Sequence, residues 1–304
     1  MNRSRRVFLG SGIGCAAGLA GLIPNELFAA TQSSIGESDL YVVSDGHISL
    51  PRTTVLPNID DQDSFLQSRN LNTPQFKSSC NLTLWRNDKH LVLFDVGGGP
   101  NFLPTTGNAA EDLSSLGIDP ADITDVVFTH AHPDHLWGLI DDFDELLFPS
   151  AEYHMNAKEW DFWWDENTVN TVPEFLQSFA VGARNRMAYL QEGISLFSYG
   201  DEVLPGVEAL DTHGHTPGHT SYALHHGSNS LVVTGDALTH PVLSFEKAQW
   251  VWGTDQDPEA AKSTRLKLLD QLTQDKLQIL GFHLPHPGLG SVERSGNAYR
   301  FVGS

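Results

Sequence analysis

Six consecutive residues, His130-Ala131-His132-Pro133-Asp134-His135, set three imidazoles and a carboxylate directly behind the apolar run Asp125-Val126-Val127-Phe128-Thr129. The run reads as a buried strand. In extended backbone, residues two apart point the same way, so His130 and His132 can grip one cation together. Pro133 bends the chain, and Asp134 and His135 beyond it can turn towards a second cation. Imidazole with carboxylate suits zinc, and also manganese or iron. A chain carrying this segment must end a strand in an ion-holding loop and bring further ligands from elsewhere.

Three later segments supply them. His213-Gly214-His215-Thr216-Pro217-Gly218-His219 is a tight loop whose glycines and proline fix the direction of a ring nitrogen. Leu231-Val232-Val233-Thr234-Gly235-Asp236 is a strand ending on a carboxylate that has two oxygens to offer. Gly281-Phe282-His283 is again a histidine just past a strand. The 14 histidines are numerous beside only 18 Lys+Arg, which agrees with a metal-binding role.

The rest of the composition narrows the class. Against those 18 basic residues stand 38 acidic ones, a formal charge of −20. Such a surface repels phosphate backbones and anionic membranes, so no nucleic-acid partner is expected; a small-molecule substrate is. Two cysteines exclude a disulfide scaffold and a cysteine-based zinc finger. Strand and helix patterns alternate without a linker, a repeat or a low-complexity tract. The expected fold is one α/β domain with its chemistry on loops at strand ends.

Strands are expected at 40–43, 81–85, 90–94, 125–129, 195–197, 207–210, 221–224, 230–234, 277–282 and 297–302, and helices at 109–116, 157–164, 174–191 and 258–274. Asp45-Gly46 reads as a turn, residues 31–37 as a loose leader, and 53–79 as irregular with a short helix near Asp63–Leu66. Trp160, Trp163 and Trp164 share a helical face, either packed in the core or forming an apolar wall over the metals. Trp250 and Trp252 could form the opposite wall.

The first thirty residues read as an export signal, basic, then apolar, then small at Ala29-Ala30. Ser4-Arg5-Arg6-Val7-Phe8-Leu9 resembles the twin-arginine (Tat) motif. The expectation is a periplasmic or secreted protein of residues 31–304, with no stable membrane anchor once the signal is removed. Cys80 would then be its one cysteine.

The four histidine–aspartate segments together resemble the metallo-β-lactamase superfamily: His-x-His-x-Asp-His, Gly-His-Thr-Pro-Gly-His, Gly-Asp and a late His, in that order. The similarity runs from about Tyr41 to Phe301. It is nearest to the methyl parathion hydrolase and lactonase branch, through Ser44-Asp45-Gly46, Phe94-Asp95-Val96-Gly97, His283-Leu284 and the closing Tyr299-Arg300-Phe301-Val302. The resemblance implies an αββα sandwich. It implies that His130, His132 and His215 hold one metal, that Asp134, His135 and His283 hold another, and that Asp236 bridges them. Relatives of this branch are often dimers, so a homodimer is a further expectation.

Two divalent cations sharing a water lower its pKa towards ~7 and polarise the oxygen on which charge builds. The expected activity is hydrolysis of a lactone or ester, with phosphotriesters as secondary substrates and Asp134 and Asp236 as the catalytic carboxylates. Gly235-Asp236 argues against a true β-lactamase. Thr239 stands where some lactonases carry a tyrosine. Another class remains open, a metal-bearing accessory protein of a periplasmic redox or sulfur pathway. His219 is expected to support the ligands and Asp95 to fix neighbouring loops, while the role of His286, three residues past His283 in a loop near the metals, stays open between substrate contact and structure. His47, His90, His154, His213, His225, His226 and His240 are expected to be structural or solvated.

Overall fold

A computed structural model describes residues 31–57 and 62–304. The export-signal reading of residues 1–30 lies outside the described residues. The first sheet comprises β1 (Thr31–Ile35), β2 (Ser38–Pro51), β3 (Gln75–Arg86), β4 (Leu91–Phe94), β5 (Asp125–Val127), β6 (Glu152–Asn156) and β7 (Ile194–Phe197), paired in that order. The second comprises β8 (Glu202–Leu204), β9 (Val207–Asp211), β10 (Thr220–His226), β11 (Asn229–Val233), β12 (Gln278–Leu280), β13 (Leu289–Ser295) and β14 (Ala298–Gly303), also paired consecutively. Pairing is antiparallel from β1 to β4 and parallel from β4 to β7. In the second sheet only β11 and β12 run parallel.

The strand sequences explain the layering. Successive side chains point to opposite faces, so a strand apolar at every position is buried on both. In β4, Leu91 and Leu93 face one core while Val92 and Phe94 face another. The inner core lies between the sheets, where Val92, Phe94 and Val127 meet Tyr222, Leu231 and Leu280. The outer face of the first sheet packs Leu84, Leu93 and Val126 on Leu113, Trp163 and Met187 of three helices. The outer face of the second packs Val232 and Ile279 on Leu268, Leu269 and Leu272 of the helix Pro258–Asp275. The result is the αββα sandwich, a single domain.

Several expectations change. Residues 31–35 are not a loose leader but strand β1, in register with β2 from Thr31↔Val42 to Ile35↔Ser38. Asp45-Gly46 is not a turn. It is a bulge inside one long strand, where the register against β3 shifts between Ser44 and Gly46. Gly46 has φ 101°, and a Cβ there would stand 2.1 Å from the carbonyl oxygen of Thr105. The 53–79 segment holds helices Arg52–Val55 and Gln62–Ser68, and β3 already begins at Gln75. Strands β6, β8 and β13 were not anticipated. The sequence of β6, Glu-Tyr-His-Met-Asn, carries no run of β-branched residues, and tertiary pairing overrides that weak propensity.

At the start of β5 the Asp125 carboxylate accepts hydrogen bonds from Thr124 Oγ1 at 2.6 Å, His90 Nδ1 at 2.8 Å and His154 Nε2 at 3.1 Å. Burial pushes its pKa up, but the hydrogen bonds from His154, Thr124 and His90 outweigh this and bring it down to about 2. A carboxyl whose folded pKa is depressed stabilises the fold above its unfolded pKa, and that stability is lost as pH falls through the folded value. Asp125→Asn is therefore expected to destabilise the protein at neutral pH and to flatten the fall in stability between pH 3.8 and about 2. Urea unfolding across that range, beside the parent, is the check.

Candidate metal centre

The site sits where strands end. The segment 130–135 follows β5, Asp236 follows β11, His283 follows β12, and the loop 212–219 joins β9 to β10. The neighbours β4 and β5 run parallel, as do β11 and β12, so carboxyl ends meet along one edge of the sandwich. His132 stays extended at φ −66°, ψ 159° as the residue before the short helix Pro133–Leu136, whose first position is the proline. Proline is pre-set for that place. The turn it starts swings Asp134 and His135 away from the His130–His132 line.

All seven expected residues come together. The ring of His132 lies 4.7 Å from those of His130 and His215, centroid to centroid, and His132 Nδ1 is 3.0 Å from His215 Nε2. His283 Nε2 stands 3.2 Å from Asp134 Oδ2 and 3.3 Å from Asp236 Oδ2. His135 Nε2 lies 3.2 Å from Asp236 Oδ1 and 3.8 Å from Asp134 Oδ2. Asp236 Oδ2 is also 3.3 Å from His215 Nε2, so this one carboxylate touches both halves of the cluster.

Outer hydrogen bonds orient the rings. His135 Nδ1 donates to Asp95 Oδ2 at 2.8 Å, and His283 Nδ1 to the carbonyl of Ser79 at 2.8 Å. His215 Nδ1 donates to Asp255 Oδ1 at 2.9 Å. Thr129 Oγ1 donates to Asp95 Oδ2 at 2.8 Å, which leaves its lone pair for His130 Nδ1 at 3.0 Å. In each of these four rings the proton sits on Nδ1 and the Nε2 lone pair faces inward. Among the described residues, the buried atoms His130 Nε2, His135 Nε2 and Asp236 Oδ1 find no hydrogen-bond partner. Inward lone pairs and buried orphan acceptors are what a divalent cation requires.

The titration of the cluster reflects its charges. Burial pulls His130 and His132 well below the usual imidazole range, and the neighbouring rings add to this. Burial opposes charge on His135 too, yet Asp236, Asp95 and Asp134 raise it to about 10, so a cation bound at its Nε2 would take the place of a proton there. Burial works against ionised Asp236, but His283, His135 and His215 hold it well below the carboxylate range.

Supporting residues complete the frame. His219 Nε2 accepts the backbone N–H of Asp236 at 2.9 Å while Nδ1 donates to the carbonyl of Thr212, so this ring fixes the carboxylate's backbone. Burial takes its pKa down to about 3. Gly235 has φ 50°, and a Cβ there would lie 2.7 Å from His219 Nε2. His213 is exposed and pairs with Asp211. His286 bonds Asn81 and is not among the residues lining the cavity beside the cluster.

Sequence reasoning missed five contributors. Cys80 is fully buried and offers its sulfur within 4.8 Å of ligand atoms on Asp134 and His283, with its thiol pushed up to about 12 by burial. Glu159 is fully buried and accepts from Ala131 N, Gly218 N, Thr216 Oγ1 and Trp163 Nε1, tying its helix to both histidine loops. Asp255 carries His215 and also accepts from the buried Arg265 at 3.1 Å. Arg265 further donates to the carbonyls of Ala248 and Trp250 and lies over the ring of Trp252. His240, expected to be structural or solvated, lies in the cavity wall. No local spacing links these residues to the histidine motifs.

A cavity of about 150 Å³ opens beside Asp134, Asp236 and His283. Its apolar wall is Phe76, Phe102, Phe179 and Trp252, with half-exposed Phe175 at the rim. The tryptophan cluster is not that wall. Trp160 stacks on Trp164 at 5.3 Å, and Trp163 packs on His132 from the core side. Trp252 lines the cavity, whereas Trp250 packs edge-on against Phe65.

Histidines and aspartates converging at the floor of an apolar pocket define a metal-binding centre. The family model of the metallo-beta-lactamase superfamily matches residues 77–289, and the chain belongs to that superfamily. Among solved structures it is similar to AidC, a dizinc quorum-quenching lactonase in complex with a product, at 26% identity and TM-score 0.85, over 92% of this chain and 99% of that one. It is similar to the hydrolase AbOPH at 26% identity and TM-score 0.84, over 91% of this chain and 97% of that one. It also matches the protein named Probable metallo-hydrolase Rv2300c from Mycobacterium tuberculosis, 26% identical over 194 residues, which is 53% of this chain and 57% of that protein's length.

Two outcomes follow from the frame. Glu159→Ala leaves four donors without their acceptor and is expected to cost about 3 kcal/mol, read from denaturant midpoints. Asp255→Ala frees His215 Nδ1 and is expected to weaken metal binding by about 10–100-fold, read by competition with a chelator.

Proposed function

We propose that this metallo-hydrolase holds two divalent cations and opens a lactone or ester bearing an apolar acyl group, with phosphotriesters as secondary substrates. His130, His132 and His215 would hold one cation, Asp134, His135 and His283 the other, and Asp236 both. The observation that carries the reading is the position of Asp236, whose Oδ2 lies 3.3 Å from both His215 Nε2 and His283 Nε2 while Oδ1 faces His135. The donor set favours zinc, with manganese or iron as alternatives. Likeness to a dizinc lactonase over nearly its whole length supports both the metal count and the substrate class.

Bound cations of this kind supply Lewis acidity to a carbonyl and make water more acidic. The chain's own residues do the rest. Phe76, Phe102, Phe179 and Trp252 exclude water and take up an apolar acyl group. Asp134 borders the cavity, so its carboxylate can receive the proton released as water adds to the acyl carbon and return it to the departing oxygen. The nucleophile is water. Cys80 is fully buried, and its thiol is pushed up to about 12.

The test uses residues 31–304 loaded with zinc or manganese, and a panel of lactones, aryl esters, phosphotriesters and a β-lactam. Lactones and esters are expected to turn over fastest. Asp236→Ala is expected to lose at least one equivalent of metal and to cut turnover by more than ~100-fold. Retention of two metals and full turnover in that variant would contradict the bridging role. Silence of the metal-loaded parent across the panel would favour an accessory protein of a redox or sulfur pathway. Export through the twin-arginine route is proposed on the N-terminal motif and is checked by fractionating cells that express the full chain.

A further inference from the structure

His240 is buried in the wall of the cavity that also exposes Asp134, Asp236 and His283. Its ring meets Phe76 edge to face, with centroids 5.3 Å apart. The backbone N–H groups of Val242 and Leu243 both donate to its Nδ1, at 3.1 and 3.2 Å. These are the groups that open the short helix Leu243–Glu246. A ring nitrogen that accepts carries no proton, so the proton of the neutral ring is on Nε2. Both of these hydrogen bonds fall on Nδ1, so Nε2 is not spent on them. Burial takes the ring's pKa down to about 4, so it is uncharged at neutral pH. Ser244 Oγ accepts from the backbone N–H of both Thr239 and His240, which fixes the segment carrying the ring.

The ring is therefore held in one tautomer and in one place, in the wall of the cavity that the carboxylates of the metal centre also line. We propose that His240 Nε2–H donates a hydrogen bond to the carbonyl oxygen of the bound lactone or ester, and that this bond tightens as negative charge grows on that oxygen. A neutral imidazole suits this role because it gives a hydrogen bond without surrendering its proton. The role rests on the hydrolase reading above. It makes His240 a catalytic residue for that reaction.

The experiment compares the metal-loaded parent with His240→Leu and His240→Gln on the substrate that the parent turns over best. Metal content is counted for each variant, and the parent's ring nitrogens are observed by 15N NMR. His240→Leu is expected to keep both metals and lose about 100-fold in kcat, with KM changed by less than about threefold. His240→Gln, which retains an amide N–H, is expected to recover part of that loss. The parent's His240 is expected to show a proton on Nε2 and none on Nδ1, with the Nε2 signal moving when a 4-hydroxyalkanoate product is added. Unchanged kcat in His240→Leu, or a proton on Nδ1, would overturn the role while leaving the hydrolase reading intact. A parent silent on every lactone and ester would overturn both.

Discussion

An imidazole has two nitrogens and, when neutral, one proton, and burial forces both to be accounted for. In this protein that accounting builds the site. Asp95, Asp255, the Ser79 carbonyl and Thr129 each take up the Nδ1 side of a ring, and four Nε2 lone pairs are left facing one another. Without those outer acceptors the rings could turn and satisfy each other, and the inward acceptors would be lost. Asp95 serves two ligand-bearing positions at once, taking His135 directly and His130 through Thr129. The metal-binding character of the centre thus depends on residues that never face it.

The sandwich makes this arrangement affordable. β4, β5, β10 and β11 are apolar on both faces and lie between three layers of core. Their ends are thereby anchored, and the loops that leave them inherit that rigidity. Glu159 joins the two histidine loops from outside, accepting from both Ala131 and Gly218. Gly218 has no side chain because Glu159 occupies its space, a Cβ there lying 2.1 Å from the Glu159 nitrogen. Through these contacts Glu159 ties the loop of His132 to the loop of His215.

The seven histidines and aspartates of the cluster were legible because the chemistry requires them in short runs directly behind apolar strands. Layering was legible for the same reason, from runs such as Leu91–Phe94 that are apolar at every position. What could not be read is what depends on partners far along the chain. Glu159 looks like an ordinary helix-surface glutamate until the loops from 131 and 218 arrive on it. His240 has no companion at metal-ligand spacing, and only the folded chain puts it in the cavity. β1 was read as a leader because a polar edge strand owes its existence to the partner it pairs with. The bulge at Asp45-Gly46 carries a turn's composition, and the neighbouring strand decides that the chain continues straight on.

Arg265 holds the carbonyls of Ala248 and Trp250, the ring of Trp252 and the carboxylate of Asp255. One wall of the pocket and one prop of a metal-facing histidine therefore hang from a single buried guanidinium. Diversification of substrate preference through the 248–255 loop would carry a penalty in metal retention. The opposite wall, on the helix that bears Phe175 and Phe179, has among the described residues no such tie to a ligand's outer hydrogen bond. Descendants of this sequence that acquire new substrates should accumulate their changes on that helix and leave the tryptophan loop alone.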